Sequence, residues 1–151
     1  MRAISQDSVS SSEARAAIRA SHEALRGIAL RTMTMAGDGA AGEDALRLQG
    51  RTLCAAVDDH LEFEESLMAV ALADVLGLEG VLLVQLEADH QRQRANAAST
   101  LAALAPDDLR RPRLVASIRA LAESVLLDLA REERTFLRAD VDELSNDSPG
   151  G

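Results

Sequence analysis

Three short interruptions divide this chain into four long segments in which apolar residues recur at helical spacing. The interruptions are AGDGAAG at 36–42, a glycine at 77 and APDDLRRP at 105–112, all rich in residues that end helices. The predicted helices run from about Ser12 to Met35, Glu43 to Leu76, Glu79 to Leu104, and Pro112 to Leu144. No strand-like alternation competes with this pattern, so the sequence predicts an all-α fold, an up-down-up-down four-helix bundle with short loops.

The ends of the segments carry helix signals that set the predicted limits of the domain. Ser10 and Glu13 have the spacing of a capping box, and Pro112 is placed in the first turn of the fourth helix. We therefore expect a flexible N-terminus at 1–11, one bundle domain at 12–144 and a disordered tail at 145–151.

The composition predicts which side chains fill the core of the bundle and argues against one class of partner. Only two of the 151 residues are aromatic, both Phe, so the apolar core is expected to consist mainly of aliphatic side chains. The net charge is −9 and all sixteen basic residues are Arg, without a basic block, which argues against nucleic acid as a partner. The sequence leaves the oligomeric state open.

We expect a cytoplasmic protein that does not cross a membrane. The one cysteine, Cys54, leaves no pair for an intrachain disulfide, so nothing points to an oxidising compartment. The opening MRAISQDSVSSS lacks the apolar core of a signal peptide. The most apolar run, LMAVALADVLGL at 67–78, is too short to span a bilayer.

The chain has three histidines, His22, His60 and His90, one on each of the first three predicted helices. An advance of about 100° per residue places His60 and Glu64 on one apolar face of the second helix, roughly 40° apart. Glu65 falls about 140° from His60 and is expected to be solvated. His90 shares a face with leucines of the third helix, and His22 lies toward the edge of the apolar stripe of the first.

The fourth helix has no histidine, but two acidic residues occupy the corresponding face. Glu132 lies within its apolar stripe, and Asp128 lies one turn earlier, as His60 lies one turn before Glu64. A lone core histidine is usually hydrogen-bonded, and His60 and Glu64 alone could form an i,i+4 hydrogen bond. Buried carboxylates need a compensating charge, however, and the convergence of such residues from four helices favours a metal site.

The order of these residues resembles the pattern of the hemerythrin-like family, helical bundles of the HHE cation-binding type. That pattern has a His on helix one, H-x-x-x-E on helix two, a His on helix three and H-x-x-x-E on helix four. SHEALR, HLEFEE, ADHQRQR and DLAREE stand at those places, and the matching residues are His22, His60, Glu64, His90, Asp128 and Glu132. The resemblance extends from about Ser12 to Asp140.

The resemblance implies two non-haem iron ions joined by an oxo or hydroxo bridge, with manganese or zinc as replacements. Glu64 and Glu132 would bridge the two ions, and His22, His60 and His90 would be terminal ligands. Such a protein binds, senses or reacts with a small diatomic or peroxide ligand, namely oxygen, peroxide or nitric oxide. Two alternatives stay open: a degenerate or mononuclear metal-binding bundle that acts as a sensor or interaction module, and a ferritin-like di-iron carboxylate oxidase.

Three departures from the family pattern bear on this site. Asp128 stands where the fourth helix of the family has a histidine, Arg94 stands where oxygen-carrying members have a second histidine, and the LFP that often follows the glutamates is absent. Asp128 either ligates a metal, falls short and leaves an open position, or marks the loss of one metal. We expect Arg94 to reach solvent rather than pair with a carboxylate. Glu87 and His90 form a lone E-x-x-H, whereas ferritin-like sites need two.

Overall fold

The computed structural model describes residues 9–74 and 79–137. Within them the chain forms four α-helices: α1 (Ser11–Gly37), α2 (Glu43–Ala71), α3 (Glu79–Ala103) and α4 (Arg111–Phe136). This confirms the predicted all-α four-helix bundle. The second helix ends at Ala71 and residues 72–74 form a turn, so it is shorter than the predicted helix to about Leu76. The predicted continuation of the fourth helix beyond residue 137 to Leu144, most of the N-terminal segment and the whole tail at 145–151 lie outside the described residues.

The helices begin where the local sequence signals predict, to within one residue. The Glu13 N–H donates to the Ser10 hydroxyl at 3.1 Å, and the Ser10 N–H donates to the Glu13 carboxylate at 3.3 Å, which completes the capping box of α1. Pro112 lies in the first turn of α4, where its missing N–H costs no helical hydrogen bond.

Packing between the helices buries three aliphatic clusters along the bundle. α1 and α3 each pack against both α2 and α4, and α2 also contacts α4. The Leu61 cluster includes Leu25, Leu53, Val57, Leu61 and Leu129, and the Met68 cluster includes Ile18, Met68, Leu86 and Phe136. The third, the Leu46 cluster, includes Leu46, Leu104, Leu114 and Ile118. None of the described helices combines the length and the apolar character that a bilayer span requires.

A polar layer separates the Leu61 cluster from the Met68 cluster. α1 passes from Ile18 in one cluster to Leu25 in the other, and His22 lies between them. α2 passes from Leu61 to Met68, and Glu64 lies between those two residues. The fold therefore holds ionisable side chains in the interior with an aliphatic cluster on each side.

Gly50 marks a close approach of α2 to its neighbours within the Leu46 cluster. A Cβ atom added at Gly50 would lie 2.7 Å from the Ile118 Cγ2 atom of α4 and 2.7 Å from the Leu104 Cδ1 atom. Both neighbours are fully buried, so neither side chain can move aside without disturbing the core.

We expect Gly50→Ala to destabilise the fold by up to about 2 kcal/mol in chemical denaturation, because overpacking costs about 1–3 kcal/mol and the gain in helix propensity returns about 1 kcal/mol. Gly27→Ala on α1 is the matched control, since the nearest atom to its added Cβ is the Arg31 guanidinium nitrogen at 3.7 Å. That variant should be more stable than the parent by about 0.5–1 kcal/mol. Equal effects at the two sites would contradict the close packing at Gly50.

Candidate metal centre

Five ionisable side chains from four helices form the polar layer. His22 lies on α1, His60 and Glu64 on α2, His90 on α3 and Glu132 on α4. All five are buried, and His60, the most accessible of them, is 4 % exposed. The helical faces assigned from the sequence therefore bring these five residues together.

The Glu64 carboxylate stands at the middle of the group. Its Oε2 atom lies 2.7 Å from His60 Nε2, 3.5 Å from His22 Nε2 and 3.9 Å from His90 Nε2. Glu132 extends between two of the histidines: its Oε2 atom lies 3.4 Å from His22 Nε2, and its Oε1 atom lies 3.6 Å from His90 Nε2. Each oxygen of Glu132 thus faces a different imidazole.

The inward atoms of this group are close together but are not aligned as hydrogen bonds. Among the described residues, the buried side-chain atoms without a hydrogen-bond partner are His22 Nε2, His60 Nε2, both Glu64 oxygens, His90 Nε2 and Glu132 Oε2. Each such atom costs on the order of 1–3 kcal/mol, and more if it is charged, unless something satisfies it. All of them belong to the same group, so cations bound among them would satisfy these atoms.

The types and positions of these residues allow them to hold a metal ion. Ligand atoms of His22, His60, Glu64 and Glu132 all lie within 4.8 Å of one another. Imidazole and carboxylate donors suit iron, zinc and manganese. The buried cluster can therefore bind a metal within the helical bundle.

The outward nitrogen of each histidine has a partner on a neighbouring helix. His22 Nδ1 lies 3.2 Å from Glu133 Oε1 of α4, and His90 Nδ1 lies 3.1 Å from Glu65 Oε1 of α2. Because an ionised carboxylate only accepts hydrogen bonds, both imidazoles donate from Nδ1 and direct Nε2 inward. This arrangement of carboxylate and histidine is typical of metal ligands, whose orientation it fixes.

A hydroxyl group contacts the outward nitrogen of His60. The carboxylates of Glu133 and Glu65, which contact the other two histidines, are each paired with an arginine. Ser21 Oγ of α1 lies 2.7 Å from His60 Nδ1. Arg26 donates to Glu133 at 2.6 Å, and Arg94 donates to both oxygens of Glu65 at 2.6 and 2.8 Å. The orientation of the histidines is thus supported from outside the polar layer.

The charges in and around the polar layer shift the pKa of several groups. Burial lowers the pKa of His22, but the Glu132 and Glu64 carboxylates outweigh it and raise the pKa to about 10. The pKa of His90 is also raised, since Glu132, Glu64 and Glu65 more than offset its burial. Burial raises the pKa of Glu132, but the neighbouring His22 and His90 imidazoles and a hydrogen bond from Gln93 bring it well below the usual range. The proton that His22 carries at neutral pH therefore supplies positive charge that offsets the buried carboxylates.

The structure does not bring Asp128 into the cluster. Its side chain is buried, but its Oδ1 atom accepts hydrogen bonds from Arg131 at 2.7 Å and from Arg92 at 2.9 Å. Asp is shorter than His, and two guanidinium groups hold its carboxylate at the interface of α3 and α4. Ligation by Asp128 stays a prediction, and the observed contacts correspond to the case in which the side chain falls short.

One expectation about a neighbouring residue needs correction. Arg94 was expected to reach solvent, but its guanidinium pairs with Glu65. Glu65 is exposed as expected, with 41 % of its side chain accessible, and its carboxylate also supports His90. Sequence reasoning did not assign Ser21 or Glu133 to the site. The signal that could have found them is adjacency, because each follows or precedes an inward ligand-type residue by one position.

Comparisons of this chain with protein-family models, with curated proteins and with solved structures gave no match. The resemblance to the hemerythrin-like family therefore stays an interpretation of the sequence motifs.

We expect Ser21→Ala to weaken metal binding about 10–100-fold, because the His60 ring loses the partner that fixes its orientation. Isothermal titration with Zn²⁺ measures the change. Ser66→Ala on α2 is the matched control, since the Ser66 hydroxyl donates only to the Phe63 carbonyl on the exposed surface. An equal loss in both variants would show that Ser21 has no special role.

We expect metal binding to release protons and to strengthen as the pH rises toward about 10. His22 carries a proton at neutral pH because its pKa is raised to about 10, and the metal takes the place of that proton at Nε2. Titration in two buffers with different ionisation enthalpies counts the protons released. A binding enthalpy that is the same in both buffers would show that the imidazoles are already neutral.

Proposed function

We propose that this protein is a hemerythrin-like metalloprotein whose bundle holds non-haem iron and binds or reacts with oxygen, peroxide or nitric oxide. The observation that carries the proposal is the set of buried, unpaired inward atoms on His22, His60, Glu64, His90 and Glu132. Three imidazoles and two carboxylates from four helices match the arrangement that the sequence resemblance implies. The following contacts support this function.

The donor atoms of the cluster suit iron and also suit the metals that commonly replace it. Nitrogen and oxygen donors without a thiolate suit non-haem iron, and they also admit manganese or zinc. Cys54 does not add a sulfur ligand, because its buried thiol donates to the Ala97 carbonyl at 3.5 Å. The two oxygens of Glu132 face different histidines, which is the arrangement that a bridging carboxylate needs. Glu64 lies within 4 Å of all three histidines and is the second candidate bridge.

Bound iron would supply the capacity to coordinate a diatomic or peroxide ligand and to exchange electrons with it. The chain's own residues supply the surroundings. The Leu61 and Met68 clusters exclude water on both sides of the polar layer, which strengthens every electrostatic interaction within it. Glu133, Glu65 and Ser21 fix the directions of the three imidazoles.

A cleft between α2 and α3 offers a small ligand a path toward the layer. Its volume is about 420 Å³, and its lining includes His90, Met68, Leu86, Glu87 and Arg94. A larger hollow of about 510 Å³ at the turn between α3 and α4 has no residue of the polar layer in its lining. A third hollow of about 270 Å³ has Ser21 and His60 in its lining, so the cleft beside His90 is the larger of these two hollows that reach residues of the layer.

The observed contacts bear differently on the two alternatives, a mononuclear metal centre and a ferritin-like oxidase. A mononuclear centre is favoured by one observation, namely that Asp128 pairs with Arg92 and Arg131 outside the cluster. A ferritin-like oxidase needs the carboxylate of Glu87 as a ligand, but Glu87 is exposed and lines the outer cleft.

Reconstitution with Fe²⁺ without oxygen, followed by metal analysis and visible absorption after exposure to air, tests the proposal. We expect about one to two iron ions per chain and an absorption band from iron bound to oxygen ligands. Glu64→Gln keeps the shape of the side chain but removes its charge, so iron should fall to about one-tenth of the parent value or less.

Glu62→Gln is the matched control, since Glu62 lies two residues away on the exposed face of α2 and should leave the iron content unchanged. Circular dichroism confirms that each variant is helical. Less than about 0.2 iron per chain in the folded parent protein would overturn the proposal. Full iron binding by Glu64→Gln would overturn the assignment of Glu64.

A further inference from the structure

We propose that the centre has two unequal metal positions, a tight one between His22 and His60 and a weak one beside His90. The inference rests on the proposed metal-binding function and concerns how this chain divides its ligands. The physical basis is that hydrogen bonds within the chain already engage the Asp128 carboxylate and Glu132 Oε1, the oxygen of Glu132 that faces His90 Nε2. In the described part of the chain, this leaves His90 Nε2 and Glu64 Oε1 as the further unpaired donors.

The donors on the side of His22 and His60 are free to bind. His22 Nε2, His60 Nε2, Glu64 Oε2 and Glu132 Oε2 all lack hydrogen-bond partners among the described residues. These residues also form the group whose ligand atoms lie within 4.8 Å of one another. Four free donors from three helices are the number that a tetrahedral ion takes.

The donors beside His90 are largely engaged elsewhere. Asp128 Oδ1 accepts from Arg131 at 2.7 Å and from Arg92 at 2.9 Å. Glu132 Oε1, the oxygen nearest His90, accepts a hydrogen bond from the Gln93 amide at 2.8 Å. A metal at this position would have to displace these donors, or bind through His90 and Glu64 with few other protein ligands.

The charge of nearby side chains also makes the two positions differ in their affinity for a metal ion. Arg92 and Arg131 place two permanent positive charges around Asp128, and repulsion from them opposes a cation on that side. Asp89 offsets part of this charge, at 3.6 Å from Arg92 and 3.8 Å from Arg131. On the side of His22 and His60, none of the arginines that the structure describes contacts an inward donor atom.

The weak position faces the cleft of about 420 Å³ between α2 and α3, which His90 lines, whereas the hollow that His60 lines on the tight side is about 270 Å³. An ion held there by few protein ligands keeps coordination sites for water or for an added ligand. The tight position would hold its ion permanently, while the position beside His90 would exchange its ion and meet the incoming ligand.

Titration of the metal-free full-length chain with Co²⁺, followed by visible absorption and calorimetry, tests this inference. We expect one tight ion and a second that binds at least about 100-fold more weakly. Arg131→Gln removes one guanidinium from Asp128, so the second ion should bind roughly tenfold more tightly while the first is unchanged. Arg92→Gln removes the other guanidinium from α3 and should act in the same direction.

Arg119→Gln is the matched control, because Arg119 is also an exposed arginine of α4 paired with an acidic residue on its own helix, Glu123. That variant should leave both affinities unchanged, and circular dichroism checks the folding of every variant. Two ions of equal affinity in the parent protein would overturn the inference, as would a second affinity that stays within about twofold in both arginine variants. Absence of any tight ion in the folded parent would instead overturn the proposed function itself.

Discussion

The balance of charge in one buried layer governs this structure. Two carboxylates, Glu64 and Glu132, lie in an aliphatic interior where an uncompensated charge costs several kcal/mol. The carboxylates raise the pKa of His22 to about 10 and also raise that of His90, so a proton on His22 supplies part of the compensation. A metal ion would supply it through coordination instead. In either state the layer requires positive charge, and the four helices are arranged so that each contributes a group to it.

The layer also joins the helices to one another through residues that are adjacent in sequence. Consecutive residues on a helix point about 100° apart, so one member of a pair faces the centre while the next lies against a neighbouring helix. Glu65 of α2 reaches His90 of α3, and Glu133 of α4 reaches His22 of α1. In each pair, one residue therefore belongs to the candidate metal cluster and the other orients a histidine of a neighbouring helix.

The sequence predicts those parts of the site that depend on helical geometry alone. The spacing along each helix was enough to assign His60, Glu64 and Glu132 to inward faces, because the direction of a Cβ atom follows from position on the helix. The partners of Glu65 and Asp128 could not be predicted in that way. Arginine and glutamate side chains are long and flexible, and their end groups depend on which helices are neighbours and at what height. The same residues carry the proposed difference between the two metal positions.

The carboxylates that pair with His22 and His90 connect the buried centre to the solvent. Both imidazoles are fully buried, yet Glu133 is 35 % exposed and Glu65 is 41 % exposed. Each histidine therefore has one ring nitrogen in the buried layer and the other in contact with a carboxylate that reaches water. A change of charge at the centre acts through the imidazole on that outer carboxylate, so its effect extends to the surface of the bundle.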